Sequence, residues 1–237
     1  MILTRIYPGT PETLDLGAPD GVARLSELYR VPEPAWLRIN LVSSVNGNAA
    51  GSDGTSQSLT SRTDRTILGV IRRASDVVLV GAASVRAEGH LLPRTAPLAV
   101  VTGSGDLSGH RIRPDLPAGD LIVLCPASAL GRLQSSLDGL AVEIITIPGD
   151  DRRLRPANIV AALRDRGLGR IVCEGGPSLA AQLLDAGLVD ELCLTTSPVV
   201  NGVRLPLLGD APLEMKRLSL AQLLVDEASA LYARWSV

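Results

Sequence analysis

The sequence predicts an α/β fold in which a central, mixed but mainly parallel sheet is covered by helices on both faces. Three observations carry that expectation. From Trp36 onward, short apolar runs alternate with amphipathic segments of helix length. Several runs, such as Asp76-Val-Val-Leu-Val-Gly81 and Arg170-Ile-Val-Cys173, are continuous in apolar residues, the mark of strands buried on both faces. Finally, none of the 237 residues repeats or thins into a low-complexity linker, so one domain is expected over 36–237.

The elements follow in order. Residues 1–35 carry Pro8, Pro11, Pro19, Pro32 and Pro34, and are expected to form an irregular N-terminal extension packed on the domain, with a short helix over Asp20–Tyr29. Leu37–Val42 alternates apolar and polar residues, as a strand does. A Gly, Asn, Ser and Asp loop spans Asn46–Ser58, and a helix capped by Thr60 or Ser61 runs to Ser75 with Ile67, Leu68 and Ile71 on one face. Further strands are expected at Asp76–Gly81, Pro97–Thr102, Asp120–Cys125 and Ala141–Ile147, with a helix over Ser128–Leu137 between the last two. Asn158 is placed as the cap of a helix running to Arg166, stopped by Gly167 and Gly169. Then come the strand Arg170–Cys173, a helix over Ser178–Ala186 and the strand Asp190–Thr196. Leu220–Asp226 and Leu231–Val237 read as an antiparallel hairpin closing one sheet edge.

Composition removes several function classes. The net charge is −2 and aromatic residues make up 2% with no Phe, which argues against a basic groove for nucleic acid and leaves stacking platforms scarce. No apolar run approaches the roughly 18 residues that a membrane span needs. Met1–Thr10 has no apolar stretch of signal-peptide type, and a cytoplasmic location is expected. Lys216 is the only lysine and stands between Met215 and Arg217, a poor setting for Schiff-base chemistry. Cys125, Cys173 and Cys193 each sit inside apolar runs, as inert buried thiols do. No zinc-ligand spacing and no Gly-x-Ser-x-Gly elbow is present, and His90 and His110 are the only histidines.

Ligands of open α/β sheets bind beyond the carboxyl ends of the strands, against helix N-termini. Two turns fit that position: Gly81-Ala82-Ala83-Ser84-Val85-Arg86 and Glu174-Gly175-Gly176-Pro177-Ser178-Leu179. In the second, the glycines admit a ligand close to the backbone, Pro177 presets the first helical turn and Ser178 can donate to a phosphate. Neither is a Gly-x-Gly-x-x-Gly or Walker fingerprint, so ordinary strand-to-helix connections remain the alternative. Glu174, directly after an apolar strand, is either a cap held by the helix N-terminus or a polar anchor for a ligand.

At these residues the chain resembles the RibD C-terminal domain family of riboflavin-biosynthesis pyrimidine reductases, from about Trp36 to Val237. The resemblance rests on Ser44-Val45-Asn46-Gly47, Leu59-Thr60-Ser61, Val80 to Arg86, Glu174 to Leu179, Gly187 to Leu192 and Ser197-Pro198-Val199. It implies a dihydrofolate-reductase-like three-layer fold and a stand-alone reductase, since the deaminase domain fused to many members is missing. It further implies NADPH-dependent reduction of a ribosylamino-pyrimidine phosphate to its ribitylamino form, in a homodimer that binds neither nucleic acid nor membrane. By position, Glu174 becomes the catalytic, substrate-gripping glutamate, with Asn40, Ser56, Arg72, Leu92 and Arg94 on the substrate side. Arg72 and Arg94 would bind the phosphate. Ser43, Gly81, Ala82, Ser84, Val85, Glu88 and Ser104 fall on the cofactor side, Ser104 near the adenosine phosphate, and Gly175, Gly176, Pro177, Ser178 and Leu179 would hold the diphosphate.

Departures from the family pattern gather on the substrate side. Asn40 replaces the usual lysine, Asn46 the usual aspartate, Gly89-His90 an Asp-Pro, and Ser58 a residue that is often aromatic. A pterin reductase of the same fold, or a non-catalytic NADP-binding paralogue, are the competing expectations. Leu220, Leu223, Leu224 and Val225 suit either a dimer interface or an internal strand.

Overall fold

A strand that is apolar on both faces is stable only inside a sandwich, and the computed structural model builds one. It describes every residue except 89–92, 94, 113–116, 118, 138, 149–153 and 211. In chain order the elements are β1 (Ile2–Tyr7), β2 (Glu12–Asp15), α1 (Gly21–Leu28), β3 (Trp36–Ser44), α2 (Arg62–Arg73), β4 (Val77–Gly81), α3 (Ala82–Glu88) and β5 (Leu98–Val101). They continue as β6 (Leu121–Cys125), α4 (Leu130–Ser136), β7 (Glu143–Thr146), α5 (Pro156–Arg164), β8 (Arg170–Cys173), α6 (Pro177–Asp185), β9 (Glu191–Ser197), β10 (Ser219–Asp226) and β11 (Leu231–Ser236). Among the described residues, eleven strands form one sheet in the order β2-β1-β10-β11-β9-β3-β8-β4-β5-β6-β7. The run from β9 to β7 is parallel and the run from β2 to β9 antiparallel, the mixed, mainly parallel sheet that was expected.

Strand alternation divides the core. Val78 and Val80 of β4 and Val123 of β6 pack with Leu25, Ile67, Ile71, Val85 and Leu133, so α1 to α4 cover one face. Val77, Leu79 and Leu124 pack with Ile159, Leu163, Leu183 and Leu184 from α5 and α6 on the other. The parallel half of the middle layer is sealed from both sides.

The fold corrects three of the expectations. Residues 1–35 are not irregular: β1 and β2 form a hairpin, and β1 pairs with β10. The C-terminal hairpin therefore does not close an edge but lies inside the sheet, with β10 between β1 and β11 and Leu224 fully buried. The prolines that suggested irregularity fall mostly in the connections, while Ile2–Tyr7 keeps its ladder. Asn158 does not cap α5. The helix starts two residues earlier at Pro156, whose missing N–H is no loss in a first turn, and the Asn158 amide donates to the Pro148 carbonyl instead.

β3 forms where the alternation placed a strand, and its Arg38 is 1% exposed. Its guanidinium Nε donates to the Glu191 carboxylate, which also accepts from Arg234, and both arginines lie over the Tyr29 ring. α1 covers this part of the sheet, so the charges must pair rather than solvate. Ser61, of the two candidates, caps α2: its hydroxyl accepts from the Asp64 N–H at 3.0 Å.

Candidate active site

The turns after β4 and β8 lie side by side because their strands do. The Gly81 N–H donates to the Gly175 carbonyl at 2.8 Å, and the Glu174 N–H to the Leu79 carbonyl at 3.0 Å. Gly175 sits at φ +100°, where a side chain is strained, and a Cβ there would be 3.3 Å from Leu41 Cδ2. A Cβ on Gly176 would sit 2.7 Å from the Ser84 hydroxyl. Two backbones thus approach each other at one place, and no side chain caps the N-terminus of α6 there. Pro177 has no N–H and Leu179 donates to the Gly176 carbonyl, which leaves the Ser178 N–H as the first-turn donor for an anion.

These turns form one wall of a cleft of about 1510 Å³ at the carboxyl ends of the parallel strands. A single small ligand fills some 300–1,000 Å³, so this space suits two. Part of the lining, Gly81, Ala82, Ser84, Ser104 and Gly175 to Leu179, is mostly backbone and small side chains. Another part comprises Asn40, Ser56, Glu174 and a face of α2 made of Asp64, Arg65, Leu68, Gly69 and Arg72. That face repeats at i, i+1, i+4, i+5 and i+8, as one side of a helix must.

The expected site residues divide accordingly. Asn40, Ser56, Arg72, Gly81, Ala82, Ser84, Glu88, Ser104, Glu174 and Gly175 to Leu179 all line the cleft. Leu92, Arg94 and the Gly89-His90 pair lie outside the described residues. Two of the residues expected on the cofactor side are not brought there. Val85 is fully buried in the core on the helical side of β4, because the turn of α3 that exposes Ser84 points the next side chain inward. Ser43 is 4% exposed, on the stretch of β3 paired with Thr196. Asn46 is not part of the lining either. Its amide bonds the Asn201 carbonyl at 2.8 Å and accepts from the Ser44 hydroxyl, tying the loop after β3 to the loop after β9.

The electrostatics of the α2 end are the least local feature of the site. Arg72 donates two bonds to Glu174, Nε to Oε1 at 2.7 Å and Nη2 to Oε2 at 2.6 Å. The Glu174 side chain is 7% exposed, so this fork–fork pair is partly desolvated. Arg72 therefore orients the carboxylate rather than standing ready for a phosphate. Across the cleft end, Ser56 N–H donates to Glu88 Oε1 at 3.2 Å, which fastens the loop before α2 to the end of α3.

Asp64 is the residue that sequence reasoning missed. It lines the cleft, is 7% exposed, and accepts at Oδ1 from the Thr195 hydroxyl at 2.7 Å. Burial pushes its carboxyl above the ordinary aspartate range; the Thr195 bond and Arg65 oppose this, while the Glu174 and Asp226 charges add to it. Its spacing of eight from Arg72 on one helix was the signal available. The cysteines are inert: all three are buried and free, and desolvation lifts Cys173 and Cys193 to about 12. Among the described residues, no group of His, Cys, Asp and Glu could hold a metal, and no helix is long and apolar enough to cross a membrane.

Sheet, layers and cleft define a three-layer α/β protein whose ligand site sits at the carboxyl ends of parallel strands. Within that class, the chain belongs to the RibD C-terminal domain family, whose model matches residues 35–231. It is 24% identical over 174 residues to the riboflavin biosynthesis protein RibD of Bacillus amyloliquefaciens, covering 70% of this chain and 46% of that one. The chain thus spans about half the length of the curated relatives it matches. Among solved structures, it superposes on a pyrimidine reductase-like protein from Corynebacterium diphtheriae with a TM-score of 0.74 and 26% identity, covering 90% and 98% of the two chains. A diaminohydroxyphosphoribosylaminopyrimidine deaminase/5-amino-6-(5-phosphoribosylamino)uracil reductase from Thermotoga maritima shares the fold at a TM-score of 0.67 and 18% identity, over 85% and 56% of the chains.

Proposed function

We propose that this chain is an NADPH-dependent reductase that converts the ribosyl group of a ribosylamino-pyrimidine phosphate, of the 5-amino-6-(5-phosphoribosylamino)uracil type, to ribityl in riboflavin biosynthesis. The observation that carries the reading is the cleft: it is large enough for two ligands, is lined in one part mostly by backbone and in another by charged side chains, and lies in a chain of the RibD C-terminal domain family.

When bound, NADPH supplies the hydride that opens the way from ribosyl to ribityl. The residues of this chain bind and orient. Gly176 and Ser178 offer N–H groups to the diphosphate, and a Cβ on Gly176 would come 2.7 Å from the Ser84 hydroxyl. Ser104, with Arg155 also in the cleft lining, faces the adenosine end. Glu174, held in one orientation by Arg72, accepts hydrogen bonds from the pyrimidine or ribose donors, and its charge favours electron-poor character developing at the ribose carbon. Arg65, exposed on the cleft side of α2 with one N–H on Thr60, offers its other donors to the substrate phosphate. Holding both ligands in one desolvated cleft replaces an encounter in water with a fixed alignment. The family resemblance brings a homodimer and a cytoplasmic setting with this reading, and sedimentation of the purified chain tests the former.

The experiment is NADPH oxidation by the purified chain with the ribosylamino-uracil phosphate, with dihydrofolate in parallel. Turnover on the pyrimidine is the expected result. Turnover on dihydrofolate alone makes the chain a pterin reductase, and NADPH binding without turnover on either makes it a binding protein; both contradict the proposal.

A further inference from the structure

We propose that Asp64 is the acid that delivers the proton accompanying hydride transfer, a role that rests on the reductase reading above. Reduction of the open-chain imine needs one hydride on the first ribose carbon and one proton on the adjoining nitrogen. As the hydride arrives, the C=N π pair becomes a nitrogen lone pair, which takes the Asp64 carboxyl proton. The carboxylate left behind recovers its proton from solvent, so the sum is substrate, NADPH and one proton in, ribityl product and NADP⁺ out.

The geometry favours Asp64 over its neighbours. Glu174 is committed by both oxygens to Arg72 and cannot carry a proton without losing that pair. Asp226 accepts from the Tyr232 hydroxyl, whose oxygen also bonds Ser61, and neither Asp226 nor Tyr232 is part of the cleft lining. Asp64 does line the cleft, two turns along the face of α2 that also carries Arg72, with Oδ1 held by Thr195 of β9. Groups face it from the elements packed on it: Arg65 from its own helix, Glu174 from the β8–α6 turn, Asp226 from β10, the Tyr232 hydroxyl from β11 and the Thr195 hydroxyl from β9. Desolvation and two like charges outweigh Arg65 and the Thr195 hydroxyl, so the protonated form is favoured at higher pH than for an ordinary aspartate.

Three measurements test the role. In the ligand-free protein, the ¹³C carboxyl resonance of Asp64 should titrate with a midpoint above the ordinary value of about 3.9; a midpoint at or below it overturns the proposal without any reference to activity. Asp64→Asn should lower kcat roughly 100-fold or more while KM and NADPH affinity stay close to wild type, and should erase the fall in kcat as pH rises through the carboxyl's titration. Thr195→Val removes a bond to the charged form and should move that limb to higher pH with the fold intact. If Asp64→Asn keeps wild-type turnover, or the limb does not move in Thr195→Val, Asp64 is not the donor, though the reductase reading stands. If the wild type oxidises no NADPH with the pyrimidine, both fall.

Discussion

In the proposed reading, the two ends of the cleft are built from different materials. The end proposed for the cofactor is mainly backbone: Gly81 against Gly175, Gly176 beside Ser84, an α6 N-terminus with no side-chain cap. The end proposed for the substrate carries charged side chains, two of them set by partners from elsewhere in the chain: Arg72 by Glu174, 102 residues on, and Asp64 by Thr195, 131 residues on. Backbone geometry serves any ligand with a diphosphate; charged pairs can be exchanged one by one. Of the departures expected on the substrate side, Asn40 lines the cleft, whereas Asn46 bonds Asn201 and Ser58 bonds Asp53, both off the wall.

If the ends are separable, a change at one should leave the other standing. Glu174→Gln should cost about 100-fold or more in turnover, because the amide keeps shape but loses the charge, while NADPH affinity shifts by no more than several-fold; steady-state kinetics beside a nucleotide fluorescence titration reads both, and a parallel loss of NADPH binding would break the comparison. Arg72→Ala leaves a 7% exposed carboxylate without its partner and should lower stability by about 2 kcal/mol, below the range for a fully buried pair because Arg72 is 22% exposed. Urea unfolding measures it, and Arg72→Lys should recover only part, since lysine cannot make the fork.

At the other end, Gly175→Ala forces a side chain to φ +100° and against Leu41. It should cost about 1 kcal/mol of stability and weaken NADPH several-fold, with less effect on the KM for the pyrimidine. Ser104→Asp sharpens the map further: like-charge repulsion with the extra phosphate should weaken NADPH by about tenfold relative to NADH, and equal weakening of both would place Ser104 away from that phosphate. The smallest effect is linkage. Because the folded state raises the Asp64 carboxyl above its unfolded value, its stabilising share is full at low pH and is lost as pH rises through the folded value. The stability of Asp64→Asn relative to wild type should therefore improve with pH across that range, as chemical denaturation at a series of pH values will report.

What was legible in the sequence follows the same division. β4 and β8 announced themselves as unbroken apolar runs, and the two turns after them as glycine and proline at fixed offsets, because those signals are local. The Arg72–Glu174 pair was not legible: an arginine on an amphipathic helix reads as solvated or as a phosphate ligand until the fold brings a carboxylate to it. Asp64 was hidden by its other role, since an acid three residues after a capping serine is ordinary helix chemistry. Val85 was carried along with its neighbours although helix geometry turns it into the core. The same limit applies in the fold. The alternation in β3 was visible, but Glu191, which lets Arg38 be buried, comes 153 residues later. The position of the C-terminal hairpin depended on β1, whose ladder the nearby prolines concealed.

The central claim is that this cleft aligns a reduced nicotinamide with the first carbon of an opened ribose. The most direct test is single-turnover reduction of the ribosylamino-uracil phosphate with NADPH deuterated at the nicotinamide C4, followed by mass spectrometry and NMR of the product. One deuterium at the first ribityl carbon is the predicted result. Product without deuterium there, or no product with both ligands bound, would contradict the account.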